Sequence, residues 1–299
     1  MSAIGGKADI ALRAAMSAND PKRTLARSNW AQCTSFFIDD RRGRPGAMLV
    51  DCVYSPRIEG DSHGAGNMSE DSAHTRSAAP IAASLADFTD KLIARRGVEQ
   101  SNVLFGGQIG PATKALSTRT NSIDVGDISP DFSLPTAEGR IWNLGEHLAQ
   151  GKCSSLVVVF YRGTWCGYCN IYLRGLLETR SLLSDANAEL VAVSPEAAPS
   201  SADNVSAGDP TFPTLIDHGG KIAEQFGLTF EMDDAAKNVL KGSGIDLEKR
   251  NAGGRWILPV PGTFVIDRSG HIAYAHVDAD YRNRPEPQEI VATCRSLRR

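Results

Sequence analysis

No segment of the 299-residue chain is apolar for long enough to suggest a membrane span. The longest obvious apolar run, Leu156 to Tyr161, has six residues, whereas a helix crossing a bilayer needs roughly 20. An excess of one charge is lacking too: Lys+Arg 32 against Asp+Glu 35 leave a formal net charge of -3, so neither nucleic acid nor an acidic membrane surface is an expected partner. Met1 to Ala15 interleaves Gly5, Gly6, Lys7, Asp9 and Arg13 with short aliphatics, a pattern without the basic-then-apolar order of a secretory leader. Cysteine is scarce. Six residues cannot staple a disulfide scaffold, and only Cys166 and Cys169 are closely spaced, which predicts a reducing, cytoplasmic setting with catalytic or metal-binding thiols. The glycine pairs at 106 and 253 do not link a strand to a helix in the dinucleotide-binding manner, so no tightly bound cofactor is expected.

What is present organises into three parts. Residues 1–67 show neither helical nor strand periodicity and close on Gly60-Asp61-Ser62-His63-Gly64-Ala65-Gly66-Asn67. They read as a disordered extension, either a regulatory tail or sequence upstream of a start at Met68. Residues 68–122 read as a helical lead-in: Leu85, Phe88, Leu92 and Ile93 fall on one helical face, and Gly106-Gly107 with Gly110-Pro111 are expected to break this helix from a short second one near Ala112 to Leu116. Residues 123–299 read as the compact domain. A small hairpin around Gly139 is followed by a strand (155–161), a helix (166–183), a strand (189–194) and a helix (220–226). An antiparallel pair turning at Arg268-Ser269-Gly270 comes next, then a closing helix (287–297) with Ile290, Val291, Cys294 and Leu297 on one face. This order predicts an α/β, thioredoxin-like fold, a central mixed β-sheet flanked by helices.

The chemistry concentrates in Phe160-Tyr161-Arg162-Gly163-Thr164-Trp165-Cys166-Gly167-Tyr168-Cys169-Asn170, where an apolar strand passes into a helix. Free N–H groups and the helix dipole favour a thiolate at a helix start, which by position alone favours Cys166 as the more acidic thiol. Three-residue spacing on a helix brings both sulfurs to one face, within reach of a local disulfide. Trp165 is placed to cover the pair, and Arg162 and Arg174 are candidates for positive potential beside it. The pair also fits half of a zinc site, which needs two further ligands, or simple buried packing. There is no second Cys-x-x-Cys, and His271 and His276, five apart on a predicted strand, face opposite sides. Cys294 reads as core, Cys153 as a loop thiol without function, and Cys33 and Cys52 lie in the extension.

From roughly Leu85 to Leu297 the sequence resembles the peroxiredoxin-like proteins of the alkyl hydroperoxide reductase/thiol-specific antioxidant family. The resemblance rests on Val125-Gly126-Asp127 with Pro130-Asp131-Phe132, on Phe160-Tyr161-Arg162-Gly163 with Trp165-Cys166 and Tyr168-Cys169-Asn170, on Leu258-Pro259-Val260-Pro261 with Thr263-Phe264-Val265-Ile266-Asp267, and on His276-Val277-Asp278 with Asp280-Tyr281. It implies a thiol-dependent peroxidase that reduces hydrogen peroxide or organic hydroperoxides and is recycled by a thioredoxin-like donor. The peroxiredoxin pattern F-Y-P-x-x-x-T-x-x-C makes Cys169 the attacking thiol and Cys166 its resolver. It also puts Arg162 where that pattern has proline, and Pro261 where the family has an arginine. The thioredoxin pattern W-C-G-P-C makes Cys166 the attacker, with Tyr168 in place of proline and Pro261 standing in for the cis-proline; that frame implies a protein-disulfide reductase. A non-catalytic redox-sensing module is the third reading. The expected site is Cys169, Cys166 and Arg162.

Overall fold

The structure, a computed structural model, describes residues 80–197 and 212–298. The expectations for residues 1–67, Cys33 and Cys52 among them, lie outside the described residues.

The described chain begins with helix α1 (Ile81–Arg96), which turns at Gly97 into α2 (Val98–Thr118). Pro80 offers α1 no side-chain cap. The Glu286 carboxylate serves instead, accepting from the Ile81 and Ala82 N–H groups at 2.9 and 3.0 Å and so ties the helix start to the far end of the chain. Leu85 and Leu92 face inward, as their spacing predicts. The expected break at Gly106-Gly107 and Gly110-Pro111 does not occur: α2 runs unbroken through all four. Glycine costs about 1 kcal/mol in a helix interior, but here a tertiary contact requires it. A Cβ on Gly107 would lie 2.3 Å from Asp233 Oδ1 and 2.7 Å from Ala236 Cβ, and the Gly107 carbonyl accepts the Asp233 N–H at 3.0 Å.

Strands β1 (Ser133–Pro135) and β2 (Ile141–Asn143) form the predicted antiparallel hairpin, and Asn143 caps the short α3 (Leu144–Ala149) by accepting from the Glu146 N–H at 2.6 Å. Then come β3 (Ser155–Phe160), α4 (Gly167–Glu178), α5 (Arg180–Asp185), β4 (Ala188–Ser194) and β5 (Thr214–Ile216). The single helix expected over 166–183 is divided at Thr179, whose N–H and hydroxyl both bond back to the Leu176 carbonyl. After α6 (Lys221–Gln225) the chain adds β6 (Thr229–Glu231), α7 (Asp234–Gly242), α8 (Leu247–Arg250) and β7 (Ile257–Pro259). It ends with β8 (Gly262–Asp267), β9 (Ile272–Val277) and α9 (Pro287–Leu297).

The central sheet has the order β5-β4-β3-β8-β9, with β3, β4 and β5 parallel and β8 and β9 antiparallel. This is the thioredoxin-like arrangement the sequence predicts. Its middle strand is buried on both faces, and its side chains alternate by the period of two. Val157, Val159 and Tyr161 join the layer containing α1, α4 and α9, whereas Leu156, Val158 and Phe160 join the layer of Phe132, Leu144, Phe226 and Phe264. A third apolar group, built from α2, α7, α8 and Trp256, flanks the sheet beside the β6–β7 ribbon. The C-terminal end of β3 therefore leads into α4 beneath the lead-in helix α1, which packs against it.

Candidate functional site

Arg162, Cys166 and Cys169 follow β3 directly. The connecting loop turns at Gly163 with φ +142, where a Cβ would lie 2.5 Å from Trp165 Nε1 and 3.1 Å from Glu196 Oε2. Glu196, buried in the loop after β4, accepts the Thr164 N–H at 2.6 Å. Asn170 donates to the Thr164 carbonyl at 2.7 Å from the first turn of α4. The turn is thereby fixed from both sides. Cys166 becomes the N-cap of α4 and Cys169 its third residue.

The two sulfurs are 2.9 Å apart, share a hydrogen bond and are both free thiols. Both are buried, Cys166 with 2% and Cys169 with 1% of its surface exposed. The predicted trio is brought together: Arg162, itself buried, donates from Nη2 to Cys166 Sγ at 2.9 Å and from Nη1 to Gln108 Oε1. Its guanidinium lies 3.7 Å from the Tyr281 ring centroid and 5.2 Å from that of Trp165. Gln108 is oriented by the Leu104 carbonyl at 2.8 Å and reaches the Tyr281 hydroxyl at 3.4 Å. Arg162 is thus a buried cation facing thiols and an aromatic ring, a setting that favours a thiolate beside it.

Arg174 does not join the site. It is five residues beyond Cys169 and sits on the exposed face of α4. The second cation is Arg284, which the sequence reading missed. Its Nη2 points to Cys169 Sγ at 3.7 Å, its Nε is held by the Tyr281 carbonyl at 2.8 Å, and its guanidinium stands 5.5 Å from the Tyr172 ring centroid. Tyr172 in turn bonds Thr263 Oγ1 at 3.0 Å, linking α4 to β8. A positive residue in the loop before α9, at the level of the thiols, is the signal that a fold-aware reading would have used. Pro261 does not supply a cis peptide, since none occurs among the described residues.

The electrostatics separate the two thiols in the direction opposite to the helix-position argument. Burial raises the Cys169 thiol, but the hydrogen bond with Cys166, the Arg284 and Arg162 charges and the Arg162 backbone N–H more than offset it, leaving Cys169 well below the ordinary thiol range. Burial and the hydrogen bond with Cys169 push Cys166 well above that range, although Arg162 pulls it down. The pair therefore loses one proton readily and holds the second strongly. The surrounding charges favour negative charge on Cys169, with the proton of the pair toward Cys166.

The lead-in helices cover this pair. Phe88 packs edge-on against Tyr168 at 4.8 Å, Thr89 Oγ1 bonds the Tyr168 hydroxyl at 3.0 Å, and Tyr281 meets Tyr168 at 5.3 Å. Two further buried donors of the site, Arg162 Nε and Trp165 Nε1, have no hydrogen-bond partner, an arrangement that costs about 1–3 kcal/mol per group in a purely structural core.

A family model described as AhpC/TSA family matches residues 125–275, from the segment before the hairpin into β9. The chain belongs to the AhpC/TSA family. Among curated proteins it is similar to the thiol-disulfide oxidoreductase ResA of Geobacillus thermodenitrificans (strain NG80-2), 28% identical over 156 residues that cover 52% of this chain and 70% of the relative. Among solved structures it is similar to Peroxidoxin BcpB from Mycobacterium tuberculosis, at 20% identity, TM-score 0.44, and coverage of 59% of this chain and 99% of that one. It is also similar to a putative thiol:disulfide interchange protein DsbE from Chlorobium tepidum, at 23% identity, TM-score 0.36, and coverage of 58% and 99%. The likenesses to solved structures concern the fold alone. Family membership and the relation to ResA make this AhpC/TSA chain a thiol-based oxidoreductase.

Proposed function

We propose that this protein is a thiol peroxidase in which Cys169 attacks a hydroperoxide and Cys166 resolves the product. The observation that carries the reading is the buried pair itself. With 2% and 1% of their surfaces exposed, the sulfurs are closed to a disulfide on the surface of another protein, which favours a small substrate such as a peroxide. Two arginines on the thiols, at 2.9 and 3.7 Å, further support it, because a peroxide O–O bond breaks toward a developing negative oxygen that cations stabilise. Arg284 would supply the charge that Pro261 cannot.

In the first step the Cys169 thiolate forms an S–O bond with the terminal peroxide oxygen as the O–O bond breaks. The terminal oxygen keeps its hydrogen, giving Cys169 sulfenic acid, and the alkoxide takes the proton of Cys166, whose Sγ is 2.9 Å from Cys169 Sγ, and leaves as alcohol, or as water from hydrogen peroxide. The Cys166 thiolate then attacks the sulfenic sulfur, hydroxide leaves and is protonated by solvent, and the disulfide forms. Two electrons have passed to the peroxide. A thioredoxin-like dithiol returns them, in a reducing cytoplasm, after α1 and α2 loosen from a disulfide that no longer presents a thiolate to Arg162 and Arg284.

The test is steady-state peroxide consumption with a thioredoxin regenerating system. Wild type is expected to turn over, Cys166→Ser to accumulate a trappable sulfenic acid at Cys169, and Cys169→Ser to be inert. A wild type that leaves peroxide untouched while reducing protein disulfides would transfer the assignment to a disulfide reductase led by Cys166.

A further inference from the structure

A second cluster of metal-ligating side chains lies at the opposite end of β3 from the redox pair. Cys153 precedes the strand and Cys166 follows it, so a six-residue strand separates them by roughly 20 Å. His147 comes from the end of α3, Cys153 from the loop before β3, and Glu189 from the start of β4, where it pairs in register with Leu156. His147 Nε2 is 3.2 Å from Glu189 Oε2 and 4.0 Å from Cys153 Sγ, and the three donor atoms all lie within 4.8 Å of one another.

The way these groups meet distinguishes their possible uses. In a Cys-His-Glu relay the thiol and the carboxylate would occupy different ring nitrogens, one on each side of the imidazole. Here both face Nε2, which defeats a relay and is what convergence on one shared ion requires. A half-exposed His–Glu ion pair accounts for the carboxylate. It does not account for a buried thiol turned toward the same nitrogen, with Trp142 packed 5.0 Å from the imidazole to hold the ring.

We propose that His147, Cys153 and Glu189 form a three-ligand site for a divalent cation of the zinc class. Nitrogen, sulfur and carboxylate oxygen together suit zinc among the common divalent metals. Tetrahedral bonds of about 2.0–2.3 Å place such donors about 3.3–3.6 Å apart, so the observed separations close with small side-chain movements, chiefly of Glu189, whose side chain is 46% exposed. Binding releases the Cys153 proton to solvent as the Sγ–metal bond forms. A fourth position is left for water or a small ligand. Arg268 is the neighbouring cation, and its Nε is engaged by the Cys153 carbonyl at 3.4 Å, on the backbone side of the thiol. The metal would clip α3 to the entry points of β3 and β4.

The experiment is titration of the metal-free, reduced full chain with cobalt, read by thiolate-to-cobalt charge transfer and tetrahedral d–d absorption, followed by competition with zinc. The redox pair can itself hold cobalt, so the comparison is among proteins that all retain it: wild type, Glu189→Gln and Cys153→Ser. We expect one metal equivalent in wild type to be lost in Cys153→Ser and weakened at least tenfold in Glu189→Gln. Zinc is also expected to raise the unfolding midpoint of wild type more than that of Glu189→Gln, whose half-exposed side chain makes misfolding no confounder. The same number of equivalents with the same affinities in all three proteins would overturn the assignment.

Discussion

Replacing Arg162 by methionine keeps a side chain of similar reach while removing the buried charge and, with it, the hydrogen bond to Gln108 Oε1. Burial opposes the charged form of Arg162, but Cys166, Tyr281 and Cys169 more than offset it and hold the guanidinium protonated. Its Nη2 lies 2.9 Å from Cys166 Sγ, which sets the guanidinium beside the hydrogen-bonded sulfur pair where its charge lowers the Cys169 thiol; hydrogen bonds and contacts to charged groups of this kind contribute about 1.5–3 kcal/mol. At about 1.4 kcal/mol per tenfold, removing the guanidinium raises the pH at which the thiol ionises by about one to two pH units and slows alkylation below that pH. The assay is the pH profile of iodoacetamide modification of the reduced protein, whose midpoint moves upward in Arg162→Met. Because the cover over the thiols could change in the variant, the midpoint and not the absolute rate is the decisive reading. An unmoved midpoint would refute the claim that Arg162 and the thiolate hold each other in their charged forms.

Three further outcomes follow from the same geometry. Arg284→Met removes a longer contact, 3.7 Å from Cys169, and losing about 1 kcal/mol should slow stopped-flow peroxide reduction about fivefold; an unaltered rate would take Arg284 out of the mechanism. Cys169 is lowered on folding, so its stabilisation is lost as pH falls through its folded value and grows toward the ordinary thiol pKa of about 8.5. Cys166 is raised and reverses the trend above that pH. Denaturant unfolding of the reduced protein should therefore show a maximum near pH 8.5 that the disulfide form lacks. Gly167→Ala places a methyl 2.3 Å from the Phe88 ring, so overpacking should cost about 1–3 kcal/mol and displace α1, making the thiols more accessible to a bulky maleimide; unchanged labelling and stability would show that α1 is not a close cover.

The burial of both sulfurs gives the N-terminal helices a part in the chemistry that the Cys-x-x-Cys motif alone does not suggest. Phe88, Thr89 and Gln108 reach the site from α1 and α2. The reduced pair is enclosed by elements that precede the family-matched residues 125–275. Gln108 of α2 and Cys166 share the same guanidinium.

Local physics made much of this molecule legible in its sequence. The apolar run of Leu156 to Tyr161, the stripe of Ile290, Val291 and Cys294, the turn at Gly270 and the thiols at a strand-to-helix junction each depend on residues a few positions apart, and each reappears in the structure. Other features depend on contacts whose partners are remote in sequence. Arg284 reaches Cys169 across 115 positions and Gln108 reaches Arg162 across 54; no spacing rule links either pair. The short β6 and β7 pair only because α7 and α8 fold between them. Gly107 sits inside a helix because Asp233 and Ala236 pack against it, so a residue that locally argues for a break is tertiarily required. The more acidic thiol was decided in the same way: the helix terminus favours Cys166, but two arginines and a backbone N–H converge on Cys169, and charges brought together in a dry interior outweigh a dipole at the helix end.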